Sequence, residues 1–270
     1  VRAQRYAGPV TVAAIDSSAD VNRPNNRALH DAADRWEAIP PAQFGHGRTR
    51  NRAADACTTP LIVFLSQDAH PADEDWLAAL VAPLIAGNAV AAYGRQQAPE
   101  GQAERAATFS FLYPDHPEIK TKADVARLGL RTFHFSDVTS AFVTDVLQSV
   151  RFPEDLPTFE DIGVAKRLLD AGHALAYVPA ATVLHGDALR ATSLVRRYRQ
   201  IGAIYEHLGI FGDLRRATGK GLLRQGMRTA GAVAPTDGNP VTKVATAGLK
   251  AAAVAFGRLE SRLGRPLPRG

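Results

Sequence analysis

Cysteine is nearly absent: Cys57 is the one thiol in 270 residues, so no internal disulfide can form and nothing here asks for an oxidising compartment. Long apolar runs are missing too, and no uninterrupted stretch approaches the roughly 18 residues of a membrane span. Helix-turn-helix, zinc-ligand and aromatic-platform patterns are all lacking, which leaves a nucleic-acid-binding protein without a motif in its favour. No internal repeat is visible. What is present is ordinary for a globular chain: 46% hydrophobic and 22% charged residues exclude disorder, collagen and a disulfide scaffold. The length suits one large domain, or one domain with an appendage.

Charge is unevenly placed. The net charge is +5, yet residues 190–270 hold 15 Lys and Arg against four acids, Glu206, Asp213, Asp237 and Glu260. The remainder of the chain carries 17 against 23. A basic tail on an acidic body points to a polyanion, whether nucleic acid or anionic lipid head groups, or to another protein; a solvated helical surface accounts for it as well.

Short apolar runs alternate with amphipathic stretches. Val10–Ile15 predicts a strand and Asn25–Glu37 a helix, with Leu29, Ala32, Ala33 and Trp36 at helical spacing. Arg48–Ala56 reads as a second helix, and Leu61–Leu65 as a buried parallel strand. Trp76–Ile85 predicts a helix and Ala89–Tyr93 a strand. This rhythm implies an α/β domain with a mostly parallel sheet flanked by helices, whose ligands sit beyond the carboxyl ends of the strands. Residues 94–131 lack a period and predict a long excursion bordering a site, mobile without ligand. Val138–Val143 resumes a strand, Glu160–Ala171 a helix stopped by Gly172, and Leu175–Val178 a strand ending at Pro179. Beyond His185 the pattern is helical, with an apolar stripe of Leu194, Tyr198, Ile201, Tyr205 and Leu208 opposite arginines. Pro235–Pro240 reads as a linker before a last helix, Val241–Leu263, which bears Lys243, Lys250, Arg258 and Arg262.

Four places could carry chemistry. Asp68 follows the apolar strand Leu61–Leu65 within Ser66-Gln67-Asp68-Ala69-His70-Pro71, where a carboxylate would suit a cation bridging a diphosphate; capping of the next helix is the alternative. Glu160 and Asp161 open a helix, where the macrodipole alone would favour acids, and where one carboxylate could serve as a general base. His185 ends the apolar run Val183-Leu184 and is either structural or a metal ligand. The glycine-bearing turn around His46 could bring backbone N–H groups and Arg50 to a phosphate.

Read in order, a series of motifs spans Val10 to Tyr205. It begins with Val12–Asp16 and Ser17-Ser18, then His46-Gly47-Arg48-Thr49-Arg50-Asn51, then Val63–Pro71 with Trp76-Leu77. Thr139-Ser140-Ala141, Phe152-Pro153-Glu154, Phe159-Glu160-Asp161-Ile162-Gly163, Arg167-Leu168 and Gly172 follow, and Tyr177-Val178-Pro179 and Val183-Leu184-His185 close it. The series resembles a family 2 nucleotide-sugar glycosyltransferase of the GT-A fold, most of all the bacterial rhamnosyltransferases, which write Gln-Asp-Ala where others write Asp-x-Asp.

The resemblance implies roles. Asp16 and Ser17 would meet the nucleotide's base, Arg50 and Asn51 would flank the nucleotide, and Gln67 would join them. Asp68, with His185, would hold a divalent cation, Mg²⁺ or Mn²⁺. Asp161, paired with Glu160, would be the catalytic base of an inverting transfer. The implied reaction moves a deoxyhexose, rhamnose from a dTDP donor, onto a bacterial surface glycan or lipid-linked acceptor. Galactofuranosyl, mannosyl or glucosyl transfer by the same apparatus stays open, as does a non-catalytic module that binds a nucleotide-sugar or glycan. Two departures stand out: Ser66 replaces the first acid, and the family's opening strand with its Thr/Tyr-Asn motif would precede residue 1. The expected organisation is a GT-A-like domain over residues 1–190 and a basic amphipathic helical tail over 191–270. The expected setting is cytoplasmic, with the tail touching the anionic inner face of the membrane.

Overall fold

The computed structural model describes residues 2–20, 27, 30–97, 112–185, 191–219 and 240–268. Strand β1, Ala13–Asp16, pairs in parallel with β2, Arg35–Ala38, in a two-stranded sheet. A helix was the sequence expectation for Asn25–Glu37; residues 27 and 30–32 are helical, and β2 corrects its last part. Long-range pairing overrides the helical spacing: the Asp34 carboxylate accepts the Val12 N–H at 2.8 Å, and the Asp34 N–H donates to the Val12 carbonyl at 2.7 Å.

Helix α1, His46–Ala56, leads to β3, Leu61–Leu65, and the short β4, Ala69–Pro71. Helix α2, Trp76–Ile85, β5, Ala91–Gln97, β6, Glu118–Lys120, and the short α3, Val125–Leu128, come next. After β7, Thr139–Val143, the chain forms α4, Thr144–Val150, α5, Glu160–Asp170, and β8, Leu175–His185. Helices α6, Ala191–His207, α7, Ile210–Thr218, and α8, Pro240–Arg262, complete the described residues.

The main sheet runs β3-β7-β5-β8-β4, with β6 also paired to β8. Strands β3, β5 and β8 share one direction: β5 is parallel to β8, and both β3 and β5 are antiparallel to the β7 strand between them. Strand β3 is therefore half-buried beside an antiparallel neighbour, where a buried parallel strand was expected. The reversal matters for the site. It places the start of β7 beside the end of β3, with Thr139 opposite Leu65.

Side chains alternate across the sheet with period two. Ala92, Ala141 and Ala176 face one way and, being small, let α2 come close with Trp76, Leu77, Leu80, Val81 and Leu84. The Trp76 indole donates to the Thr139 hydroxyl at 2.9 Å, satisfying its one polar atom inside that layer. Tyr93, Phe142, Leu175 and Tyr177 face the other way, against Phe133, Phe135, Phe152 and the apolar face of α5. Ile210, Phe211 and Leu214 of α7 belong to this second core, so the helices after residue 190 are anchored through it.

Strand β8 does not end at Pro179. It bulges past Pro179–Ala181, the partner of β5 jumping from Val178 to Thr182 between Gly94 and Arg95, and continues to His185. Gly94 is required there, because a Cβ would lie 2.1 Å from the Ala181 carbonyl oxygen. Helix α5 ends as its sequence implies, with Gly172 at φ +85° and the His173 N–H on the Leu168 carbonyl. In the stretch read as an excursion, β6 and α3 are regular, and Lys120 is fully buried with its ammonium donating to the Tyr93 hydroxyl at 2.9 Å. Residues 98–111, the proposed linker at 235–239 and the side chains of Leu194 and Lys243 lie outside the described residues.

Candidate active site

The carboxyl ends of β3, β5 and β8, together with the start of β7, lie at one end of the main sheet and carry much of the chemistry, while Asp16 ends β1 of the two-stranded sheet. The register of β4 on β8 sets Ala69 opposite His185 and so brings Asp68 to the histidine, with Asp68 Oδ2 3.2 Å from His185 Nε2. The two residues are 117 positions apart in the chain. Adjacent ligands of an octahedral cation at about 2.1 Å lie about 3 Å apart, so this oxygen and nitrogen fit two neighbouring positions on one divalent ion. No group of three or more His, Cys, Asp or Glu suited to a metal occurs among the described residues. A cation held here would keep most of its positions for phosphate oxygens and water. Ser66 is half-buried and Gln67 exposed beside Asp68.

The other His185 nitrogen, Nδ1, lies 2.8 Å from the Gln96 amide oxygen. Gln96 is buried, and its amide nitrogen donates to the Tyr113 hydroxyl at 2.7 Å and the Ser136 hydroxyl at 2.6 Å. One side chain thus spans from the Asp68–His185 pair to the segment that carries Asp137.

Three acids and one arginine form the second half of the site. Arg50 Nε lies 2.6 Å from Asp137 Oδ2, and Arg50 Nη1 donates to Glu160 Oε1 at 3.0 Å and to the His46 carbonyl at 3.1 Å. Asp137 and Glu160 are both almost fully buried. His46 Nδ1 stands 3.7 Å from Glu160, and burial together with the Arg50 charge holds its imidazole below the ordinary pKa. One guanidinium cannot compensate three carboxylates, two of them buried and Asp161 half-buried. Burial, reinforced by Glu160, pushes Asp137 up to about 7 against the pull of Arg50. Asp161 is raised well above the carboxylate range by burial and by the neighbouring charges of Asp137 and Glu160. Its Oδ1 accepts the Ile162 N–H at 2.7 Å, the helix-start contact that its position in the first turn of α5 allows. Helix α5 is entered through Phe159 in the left-handed region at φ 61°, a backbone state that for a phenylalanine costs about 1 kcal/mol or more and collects at functional sites. The Arg197 guanidinium lies 5.2 Å from the centre of that phenyl ring.

The residues expected to meet a nucleotide divide. Asp16 is buried at the end of β1; its Oδ1 accepts the Ser18 N–H at 2.8 Å, while Oδ2 is buried without a hydrogen bond and stands ready for an N–H donor. Ser17 is half-buried next to it. Arg50 and Asn51 are engaged within the protein. Asn51 donates to the Phe152 carbonyl at 3.0 Å and to Glu154 at 2.8 Å and accepts the Phe152 N–H at 2.9 Å. That amide joins α1 to the segment before α5, and Arg50 joins α1 to the acids. Asp137, Gln96, Tyr113 and Ser136 were not among the sequence candidates.

A family profile described as "Glycosyl transferase family 2" matches residues 14–151. Among curated proteins, the O-antigen chain rhamnosyltransferase WbaN of Salmonella anatum is 32% identical over 171 residues, which is 62% of this chain and 54% of that protein. The O-antigen chain rhamnosyltransferase RfbN of Salmonella typhimurium is 34% identical over 175 residues, with the same coverage. The chain therefore spans about half the length of the curated relatives it matches. Among solved structures, a mannosyltransferase of Pyrobaculum calidifontis in complex with GDP-Man and Mn²⁺ superposes with a TM-score of 0.58 at 15% identity, covering 97% of this chain and 81% of that one.

Proposed function

The chain belongs to glycosyl transferase family 2 and has the GT-A fold, and from that premise we propose that it transfers a deoxyhexose, rhamnose from a dTDP donor, onto a bacterial surface glycan or lipid-linked acceptor. The observation that carries the reading is a pair of half-sites bridged by Gln96: Asp68 with His185 at one end, and at the other the acids around Arg50, among them a half-buried Asp161 of raised pKa. Names of the two Salmonella relatives supply the sugar.

In this reading Asp16 Oδ2 receives an N–H of the nucleobase. Asp68 and His185 hold a divalent cation, which when bound offsets charge building on the departing diphosphate. Asp161 accepts the acceptor hydroxyl's proton at Oδ2 as that oxygen bonds to the anomeric carbon. The bond from that carbon to the diphosphate oxygen breaks, and its electron pair leaves with the diphosphate. Attack and departure on opposite faces invert the anomeric centre. The raised pKa of Asp161 suits it to the task, because a base stronger than an ordinary carboxylate takes the proton more readily. Glu160, held by Arg50, supports the start of α5 rather than meeting substrate.

Transfer assays with dTDP-rhamnose, UDP-galactofuranose, GDP-mannose and UDP-glucose test the sugar; turnover of only one of the last three overturns rhamnose. Calorimetry with dTDP and with UDP, with and without Mn²⁺, tests for a working site, and heat without any turnover would mark a binding module. Asp68→Ala is expected to weaken metal-dependent dTDP binding and abolish transfer together. Unchanged binding with Mn²⁺ would remove Asp68 from the site.

The same reading gives the helices after residue 190 a role in bringing the enzyme to the inner face of the membrane. No helix among the described residues is long and apolar enough to cross a membrane. Val195, Leu249, Phe256, Leu259 and Leu263 are nonetheless exposed on α6 and α8 and just past its end, near the exposed Arg196 and Arg265. Part of the basic surplus is neutralised internally, Arg199 on Glu260 at 2.6 Å and Arg258 on Glu206 at 2.9 Å. Co-sedimentation with anionic vesicles is expected to exceed that with neutral ones. Equal binding to both, or none, sinks this part.

A further inference from the structure

Gln96 stands at the carboxyl end of β5, nearly fully buried, with polar partners on both ends of its amide. Its oxygen lies 2.8 Å from His185 Nδ1, and its nitrogen donates to Tyr113 and Ser136. An amide oxygen can only accept, so the hydrogen of a neutral His185 ring belongs on Nδ1. Nε2 then presents its lone pair to Asp68 Oδ2 across 3.2 Å. Two acceptors facing each other at that distance repel unless a positive charge lies between them. In that tautomer Nε2 and Asp68 Oδ2 both offer lone pairs, the donor pair that a divalent ion takes.

We propose that Gln96 is a positioning residue that fixes His185 as the Nδ1–H tautomer, and so fixes Nε2 as a metal donor beside Asp68. This rests on the metal reading given under the proposed function. The Tyr113 and Ser136 bonds make the positioning rigid: they hold the amide from the far side, so the oxygen cannot swing away from the imidazole. Ser136 directly precedes Asp137, so the brace for the ring is built into the segment that also carries one of the three acids. Tyr113 is brought close from beyond β5, its ring centre 6.3 Å from that of Tyr93 and 6.1 Å from that of Tyr177.

The test uses the full 270-residue chain. Nitrogen-15 spectra of the imidazoles in metal-free protein, with His185→Asn to assign the signal, report the tautomer directly. Wild type is expected to show His185 protonated on Nδ1. Gln96→Leu is expected to lose that preference and to weaken Mn²⁺ binding, measured by calorimetry with dTDP present, by about 10–100-fold. Gln96→Glu keeps an oxygen acceptor at the same reach, and should restore the tautomer and most of the affinity. A purely structural glutamine would lower the melting temperature of both variants without changing tautomer, and that pattern overturns the proposal. So does an Nε2–H tautomer in wild type, even where Mn²⁺ binds. An Nδ1–H tautomer in a wild-type protein that gives no heat with Mn²⁺ overturns the metal reading itself, and shows the failure to lie there rather than in the placement of the ring.

Discussion

Asp161→Asn is expected to reduce turnover by about 10²–10⁴-fold while leaving donor affinity and melting temperature near wild type. Asparagine keeps the shape of the side chain and can still accept the Ile162 N–H that Asp161 Oδ1 receives at 2.7 Å. It loses the capacity to take a proton, together with the negative charge that Asp137 and Glu160 oppose. Because burial and the charges of Asp137 and Glu160 raise the Asp161 pKa well above the carboxylate range, wild-type turnover should climb with pH through that raised value. The sign follows from the role: a general base works deprotonated, so activity is low below its pKa and reaches a plateau above it. An ordinary aspartate near 3.9 would already have levelled off by pH 6. In Asp161→Asn the residual activity should lose this rise. Glu160→Gln is the control, since Glu160 receives Arg50 at 3.0 Å, and removing its charge alters the cluster without removing the proposed base. Substantial transfer by Asp161→Asn at unchanged stability would exclude Asp161 as the base and make Glu160 the next candidate.

Much of the architecture could be read because it rests on local pattern. Helix α2 covers the predicted Trp76–Ile85 and buries Trp76, Leu77, Leu80, Val81 and Leu84 at helical spacing, and α5 ends at Gly172 because a left-handed residue is needed there. Strand direction is different, since alternation looks the same whichever way a strand runs. Thr139–Val143 was legible as a strand but not as one reversed between β3 and β5. That reversal carries Asp137 to the mouth of the sheet, so the acid nearest Arg50 gave no signal in the sequence. Gln96 was hidden by the same kind of ambiguity. The pattern Ala89–Tyr93 stops before Gly94, whereas the glycine serves a bulge and the strand continues through Arg95, Gln96 and Gln97. β2 was obscured because an Ala- and Leu-bearing segment satisfies a helical period, and only its pairing with β1 decides otherwise. The motif that contains Arg50 and Asn51 was visible, but their partners lie 101 to 110 positions away, at Phe152, Glu154 and Glu160, and spacing cannot show which way such side chains turn.

Arg50→Met should be the most destabilising single change at this site, and its effect should depend on pH. The guanidinium lies against Asp137 at 2.6 Å and Glu160 at 3.0 Å, both carboxylates almost wholly removed from water, with the Phe152 ring 5.9 Å away. Removing one member of a buried ion pair leaves uncompensated charge and costs about 3–5 kcal/mol, roughly 10 °C in melting temperature for a chain of this size. The acids can escape that penalty by taking up protons. Asp137, already pushed up to about 7 by burial, is protonated in the folded protein at pH 5 and only partly so at pH 8. An acid whose folded pKa is raised adds stability below its unfolded pKa, and that contribution is lost as pH rises through the folded value. Without Arg50 the Asp137 pKa rises further, so the variant should lose more stability than wild type between pH 5 and pH 8. The gap between their melting temperatures should accordingly be small at pH 5 and wide at pH 8. Adding Asp137→Asn to Arg50→Met removes one orphaned charge and should recover part of the loss at pH 8, a coupling that a double-mutant cycle measures. The resemblance to nucleotide-sugar transferases suggests a competing role, in which Arg50 flanks the nucleotide. In that case Arg50→Met would lose dTDP affinity while melting normally at both pH values, and the acid-clamp reading of Arg50 would fail.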